Sequence, residues 1–360
     1  MDKATLDLTL CQLIKVFDSS KKNYQAYSDP RKHAFHKAIE QLVEEIKSTD
    51  LSVLQFPDIQ LHKELFENLF IWIEFLDNST LNNIPYEIVR CLDAVLQDWL
   101  TKENFEKYVI VTSLQSQLLS FSYWDPELDS QLAVYVEQKY KAKINNTLVP
   151  INLPKHLAHD YLANVTLYHE IGHFVDRHYK ITRRIVSDNI LFKAMNPDQK
   201  LERLYHLSEH FADIFAAQYI DDKCSTYLDY IAHGYPDCDT HPSTQRRVEF
   251  VRAFLDGKDD IYINMLKDAT SRITKIELRP GRYTKLAIND FESFLPAECE
   301  DTHQLHYLFI QGWDSWYNSS GNIASTLDVS TDRHRVINNL IEKSISNFMV
   351  KEKWKQYVSN

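Results

Sequence analysis

The chain has 360 residues and a formal net charge of −11 at pH 7, and 25% of its residues are charged. This acidic balance disfavours nucleic acids and anionic membrane surfaces as main partners, because both would repel it. The chain has only six glycines and eleven prolines, which favours helices over turn-rich β structure. Its length allows one large domain or two moderate ones.

Residues 1–105 are predicted to form a helical N-terminal region. Their apolar residues recur at spacings of three and four, as on the buried face of an amphipathic helix. Breaks between the helices are expected at Pro57-Asp58, Asn78-Ser79 and Asn82-Asn83. The three clearest apolar stripes run over Ala34–Ile46, Leu65–Ile73 and Ile88–Trp99.

Residues 106–255 are predicted to form a core that contains a small β-sheet. Tyr108–Thr112 is a β-branched run typical of a strand, whereas Leu132–Val136 fits either a strand or a helix. Leu148–Pro154 is predicted to be an edge strand, because proline cannot donate a ladder hydrogen bond.

Residues 256–360 are predicted to be a helical C-terminal region, with helices over His303–Tyr317 and Arg333–Tyr357. The predicted fold class is therefore mainly α with a small β-sheet (α+β), in which helical regions flank the core.

The segment His169-Glu170-Ile171-Gly172-His173 has the pattern HExxH. Residues four apart on a helix share a face, so His169 and His173 can hold one zinc ion. Zinc lowers the pKa of a bound water to about 7, and Glu170 lies where it can take that proton. The pattern predicts a zinc centre that hydrolyses peptide bonds, and the competing interpretation is a helix with coincidental histidines. A third histidine at position 179 would define a metzincin, but that residue is Tyr179.

A third ligand is predicted downstream, on a helix that starts near Asn196-Pro197. Glu209 and Asp213 are four residues apart, so Glu209 can bind the metal while Asp213 accepts the free ring N–H of a ligand histidine. His206 lies on the same stripe and is the alternative ligand. His210 is rotated by about 100° and is expected to pack or to support the site from behind.

These residues resemble the gluzincins, metallopeptidases with HExxH on one helix and Glu-x-x-x-Asp on the next. The chain is most similar to the HtpX and CAAX-protease family, whose motifs match Glu209-x-x-Ala212-Asp213 and Thr240–Arg247. The similarity covers roughly residues 145–250. It implies a zincin-like core, an Asp213 that orients His169, and supporting roles for His241 and Arg247. A weaker, general resemblance is to the Lit-type phage-exclusion peptidases.

Peptide hydrolysis also requires a donor to the oxyanion that forms at the attacked carbonyl. The candidates, all just after the second motif, are His233, Tyr235, His241, Arg246 and Arg247. The resemblance points to His241 and Arg247. A structural salt bridge is an equally good interpretation of Arg247.

The relatives named above are membrane-embedded, whereas this chain has no apolar run near 18 residues. Its five cysteines are scattered, and its N-terminus lacks a signal-peptide pattern, which together predict a cytoplasmic protein. The predicted function is a zinc-dependent endopeptidase that cuts a specific intracellular protein, with Glu170 activating a zinc-bound water. The alternative is a zinc-binding regulatory or sensor protein, such as a toxin or phage-defence effector, that acts by binding a protein partner.

Overall fold

The computed structural model describes residues 3–27, 29–80, 85–115, 122–123 and 130–358. Helices account for most of these residues and a three-stranded sheet is present, so the prediction of a mainly α fold with a small sheet is confirmed. The expected break at Asn82-Asn83 lies outside the described residues. None of the described helices combines the length and the hydropathy that a membrane span requires.

The helices and strands follow one another in this order along the chain: α1 (Lys3–Ser20), α2 (Pro30–Lys47), α3 (Phe56–Asn78), α4 (Tyr86–Trp99), α5 (Lys102–Lys107), β1 (Tyr108–Gln115), β2 (Ser122–Tyr123), α6 (Ser130–Tyr140), β3 (Thr147–Pro154), α7 (Thr166–Tyr179), α8 (Ile181–Asp188), α9 (Pro197–Ile220), α10 (Lys223–Ile231), α11 (Thr244–Leu255), α12 (Ile261–Thr274), α13 (Thr302–Tyr317), α14 (Asn322–Thr326) and α15 (Ser330–Val358).

The chain divides into two compact units. The first comprises Met1–Tyr86 and Leu100–Leu153, and the second comprises Glu87–Trp99 and Pro154–Asn360. Nearly all of α4, which the sequence placed in an N-terminal region, therefore belongs to the second unit. The strands expected in the core belong to the first unit, apart from the last residue of β3.

The sheet has the strand order β1–β3–β2. In the antiparallel pair of β2 and β3, Ser122 lies opposite Asn152 and Tyr123 opposite Ile151. Because β3 lies between two strands, the prediction that Leu148–Pro154 is an edge strand was wrong. Pro150 and Pro154 bracket the two residues that pair with β2, so neither missing N–H falls within that pairing. The ambiguous segment around Leu132 is helical and forms part of α6.

The first unit is held together by apolar helix faces that pack on one another and on the sheet. The predicted stripes form the inner faces of α2 and α3, where Phe35, Ile39, Leu65 and Leu69 are fully or almost fully buried. These residues recur every three or four positions, so each helix presents one continuous apolar face. The remaining cluster members include Leu6, Leu13 and Phe17 of α1 and Val109 and Val111 of β1.

A buried serine joins the C-terminal end of α3 to β1. The Ser79 hydroxyl donates to the carbonyl of Thr112 at 3.0 Å and accepts from the Thr112 N–H at 2.8 Å. Both residues are at most 1% exposed, so water cannot replace these two hydrogen bonds.

Replacing Ser79 by Ala is expected to lower the free energy of unfolding by about 1–3 kcal/mol, because two buried backbone groups lose their partner. Urea unfolding followed by circular dichroism measures the change. Ser48→Ala is the matched control, since Ser48 makes an exposed bond to Glu45 and should cost less than about 0.5 kcal/mol. Equal losses in the two variants would show that the Ser79–Thr112 link contributes no special stability.

Candidate metal centre

The two helices that carry the predicted motifs, α7 and α9, lie in the second unit. Helix α9 begins with Asn196 and Pro197, and Asn196 forms a capping box with Gln199, which satisfies two backbone N–H groups at the helix start. Every residue from Glu209 to Ile220 is buried, so this half of α9 is a core helix. Helix α7 is similarly enclosed, with His169 and Glu170 both 7% exposed.

Gly172 lets the two helices approach closely. A Cβ atom at this position would lie 2.8 Å from the Cα of Ala212 and 3.1 Å from the Cβ of Phe215. A glycine within this helix indicated either close packing or a nearby ligand. The structure shows close packing. Ala212, the fourth residue of the Glu-x-x-Ala-Asp pattern, is the residue that faces this glycine.

The close approach brings His169, His173 and Glu209 together in one group that could hold a metal ion. The His169 and His173 Nε2 atoms are 3.0 Å apart. Glu209 places Oε1 3.3 Å from His173 Nε2 and Oε2 3.4 Å from His169 Nε2. Ligand bonds of about 2.0–2.1 Å at tetrahedral angles put neighbouring ligand atoms roughly 3.3 Å apart, and each histidine nitrogen lies at about that distance from its nearest Glu209 oxygen.

Asp213 and Arg247 support this group from behind. Asp213 Oδ1 accepts from His169 Nδ1 at 3.0 Å, which leaves His169 Nε2 to face the other two ligands. Arg247 binds both Asp213 oxygens, through Nε at 2.8 Å and Nη2 at 2.7 Å, and its Nη1 lies 3.1 Å from Glu209 Oε2. One guanidinium therefore positions both a candidate ligand, Glu209, and the carboxylate that orients another candidate ligand, His169.

The ionisation of these groups follows from burial and from the Arg247 charge. Burial alone would raise the pKa of Asp213, but the charge and hydrogen bonds of Arg247 outweigh it and hold that pKa below its ordinary value. Burial and Arg247 oppose each other in the same way at Glu209, whose pKa is also held well below normal. Burial would lower the pKa of His169, but hydrogen bonds to Asp213 and Glu209 outweigh it and raise the pKa to about 10. The positive charges of His169 and Arg247 therefore face the negative charges of Glu209 and Asp213, and a bound metal ion would take the place of the proton on His169 Nε2.

Glu170 lies next to His169 on α7, and its side chain is buried. Within the part of the chain that the structure describes, no hydrogen-bond donor or cation contacts its carboxylate. A carboxylate that is not engaged by the protein remains available to accept a proton from water.

The predicted site residues differ in how close the structure brings them to the three ligand atoms. His241 Nε2 lies 3.5 Å from Glu209 Oε1, and this side chain is 55% exposed. His233 instead contacts Asp229, and Arg246 pairs with Asp237. Of the five oxyanion candidates, His241 and Arg247 are the two for which the structure gives a contact with a ligand residue.

Two histidines of α9 have structural contacts. His206 Nε2 donates to the carbonyl of Cys238 at 2.7 Å, so the alternative ligand is engaged elsewhere. His210 stacks on Phe250 at 4.2 Å, and burial lowers its pKa to about 4. The expectation that His210 packs is consistent with this position.

Sequence reasoning missed two residues on the other side of His173. Ser208 Oγ lies 3.3 Å from His173 Nδ1, and it donates to Asp176 Oδ2 at 2.9 Å. The available signal was that Asp176 follows His173 by three residues, which places the two side chains on neighbouring parts of one helix face.

No protein-family model, curated protein or solved structure matches the chain. The resemblance to the gluzincins therefore rests on the motif residues alone and stays a prediction.

Gly172→Ala is expected to lower the free energy of unfolding by about 1–3 kcal/mol, because the new methyl group overlaps backbone of α9. This loss exceeds the gain of up to about 1 kcal/mol in helix propensity. Denaturant unfolding measures the difference. Gly312→Ala is the control, since its nearest atom is the flexible tip of Ile341, and it should cost less. A Gly172→Ala variant as stable as the wild type would show that α7 and α9 can separate without loss.

Replacing a residue outside a ligand set typically weakens metal binding by roughly 10–100-fold. Glu209→Ala is expected to weaken zinc binding by more than this, because it removes one of the three candidate ligands. His206→Ala is the matched control on the same helix stripe and should retain the affinity. Competition with a chromophoric chelator gives both dissociation constants. A larger loss in His206→Ala than in Glu209→Ala would reassign the third ligand.

Proposed function

We propose that this chain is a zinc-dependent endopeptidase that hydrolyses a peptide bond in a specific intracellular protein. The observation that carries the proposal is the convergence of His169, His173 and Glu209, with Glu170 adjacent to His169 on α7. Three protein ligands with room for a fourth, exchangeable ligand are typical of a catalytic zinc site, whereas structural zinc sites have four protein ligands.

Zinc is the proposed metal because two imidazoles and one carboxylate form one of its common catalytic ligand sets. Two histidines and one carboxylate also hold iron(II) in oxygen-activating enzymes. Glu170 favours zinc, because hydrolysis requires a general base and the iron chemistry gives such a carboxylate no evident role. Elemental analysis of the purified chain distinguishes the two metals directly.

When bound, the zinc ion would supply Lewis acidity that favours deprotonation of water and polarises the carbonyl of the scissile bond. Glu170 accepts a proton from the attacking water as its oxygen bonds to the carbonyl carbon. Glu170 then passes that proton to the amide nitrogen as the carbon–nitrogen bond breaks, which releases a carboxylic acid and an amine. The second proton of the water leaves with the acid and passes to the amine or to solvent. Glu170 ends in the state in which it began.

His241 is the proposed donor to the oxyanion. Its ring lies beside Glu209, and because its side chain is 55% exposed, a substrate carbonyl can reach it. Arg247 is proposed to act as a positioning residue. Its guanidinium is engaged by Asp213 and Glu209 and is only 10% exposed, so it stabilises the ligand set rather than contacting substrate.

The proposed substrate is a protein or peptide, because this catalytic arrangement acts on amide bonds. The net charge of −11 disfavours nucleic acid as a partner. All five cysteines are free in the structure, which supports a reducing, cytoplasmic location. A regulatory protein partner remains part of the proposal. The competing function, a zinc-binding sensor that acts by binding alone, gives Glu170 no role.

Glu170→Gln is expected to keep the zinc and lower the cleavage rate by about 10²–10⁴-fold, because the amide cannot accept the proton. The measurement compares protein fragments from cells that express wild type or variant, together with the zinc content of each protein. Glu202→Gln, an exposed change on α9, is the matched control and should leave the fragments unchanged. If wild type and Glu170→Gln give the same fragments, the binding protein becomes the better proposal.

A further inference from the structure

The His173 ring is held on both sides by consecutive residues of α9. Its Nε2 faces Glu209 Oε1 at 3.3 Å, and its Nδ1 faces Ser208 Oγ at 3.3 Å. The ring therefore lies between a ligand carboxylate and a hydroxyl. Because Ser208 and Glu209 are adjacent in one helix, a shift of α9 would move both contacts together.

The Ser208 hydroxyl has a defined direction. It donates to Asp176 Oδ2 at 2.9 Å, so its lone pairs remain available to the His173 ring. Asp176 also accepts from the Thr182 N–H at 2.8 Å and from the Thr182 hydroxyl at 2.6 Å. Asp176 is only 3% exposed. These contacts fix the carboxylate, the carboxylate fixes the hydroxyl, and the hydroxyl can only accept from His173.

We infer that Ser208 and Asp176 are positioning residues that keep the proton of His173 on Nδ1. The lone pair of His173 then lies on Nε2, the nitrogen that faces the other two candidate ligands. A neutral imidazole carries one N–H, and the hydrogen bond made by one nitrogen decides which nitrogen can bind metal. His169 is oriented by Asp213 directly, at 3.0 Å. His173 is oriented through a hydroxyl, and among the described residues this relay involves only α7, α8 and α9.

The relay also explains why the start of α8 matters to the metal centre. Helix α7 ends at Tyr179, Lys180 follows with φ 56°, and α8 begins at Ile181. This sharp turn brings Thr182 back to Asp176, where its N–H, one of the unpaired donors of the first helical turn, finds its acceptor. The Asp176 carboxylate thus caps the start of α8, and it also orients the Ser208 hydroxyl that contacts His173.

The inference rests on the proposed metal site, but it is tested by metal binding and does not depend on peptide cleavage. Ser208→Ala and Asp176→Asn are expected to weaken zinc binding by roughly 10–100-fold, measured by competition with a chromophoric chelator. Ser208→Thr retains the hydroxyl and should restore affinity to within about threefold of wild type. The absorption spectrum of the cobalt(II)-substituted protein should shift in Ser208→Ala and return towards wild type in Ser208→Thr.

Ser225→Ala is the matched control. Ser225 is a buried serine of α10 whose hydroxyl bonds to the Asp222 carbonyl, so it tests the loss of a buried hydroxyl away from the relay. Circular dichroism verifies that each variant is folded. If Asp176→Asn fails to fold because α8 loses its cap, Ser208→Ala carries the test, since it leaves the Thr182–Asp176 bonds in place.

The possible outcomes separate the relay from the proposed function. A Ser208→Ala protein with the zinc affinity and cobalt spectrum of Ser225→Ala would overturn the relay and leave the metal site intact. A wild-type chain that binds no zinc would overturn the metal site and the relay together. Normal zinc binding in the wild type without cleavage would contradict the peptidase proposal alone, and the affinity loss in Ser208→Ala would still support the relay.

Discussion

The close contact between α7 and α9 is the constraint on which the candidate site depends. Gly172 has no Cβ, so its backbone can lie against Ala212, where a methyl group would be 2.8 Å from a Cα atom. At this separation the side chains of Glu209 and the two histidines meet at a common point, with ligand atoms 3.0–3.4 Å apart. An outward shift of either helix by one methyl radius would stretch the two separations between Glu209 and the histidines beyond those of a tetrahedral ion.

Bringing these helices together also buries charged side chains, and the free-energy cost of burying them is offset by ion pairs within the same site. Glu209, Asp213 and Arg247 are each at most 9% exposed. A buried carboxylate without a partner would be strongly unfavourable, and breaking a buried ion pair by removing one member typically costs about 3–5 kcal/mol. Arg247 contacts both carboxylates, so when both imidazoles are neutral one cation faces two anions and a net negative charge remains. This remaining negative charge suits a divalent cation whose ligands include the two neutral imidazoles. Binding such a cation is therefore a physical reason for the buried charges, in addition to packing.

The two histidines are supported differently, and the difference bears on the proposed chemistry. His169 donates directly to a carboxylate that Arg247 holds, whereas His173 reaches a carboxylate only through Ser208. A charged acceptor increases the electron donation of an imidazole more than a hydroxyl does. Glu170 lies on the same helix without a partner among the described residues. The proposed peptidase therefore combines a tightly supported ligand set with one unengaged carboxylate, which is the division of roles that hydrolysis requires.

The sequence alone determined what depends on local helix geometry. Short-range rules predict that His169 and His173 share a helix face, that Glu209 and Asp213 do the same, that α9 begins after Asn196, and that a strand begins at Tyr108. The structure agrees with all four predictions.

Tertiary structure decided what depends on which segments meet. Glu209 rather than His206 faces α7 because of how α9 is rotated against it, and Arg247 spans two carboxylates because α11 packs on α9. Ser208 and Asp176 support His173 only once α7, α8 and α9 come together. Likewise, β3 lies inside the sheet because β2 pairs with its second side. The sequence did not predict this, because β2 has only two residues and no sequence signal of its own. Hydrogen-bond and metal-ligand geometry is set by distances between residues remote in sequence, and no periodicity within a single segment contains that information.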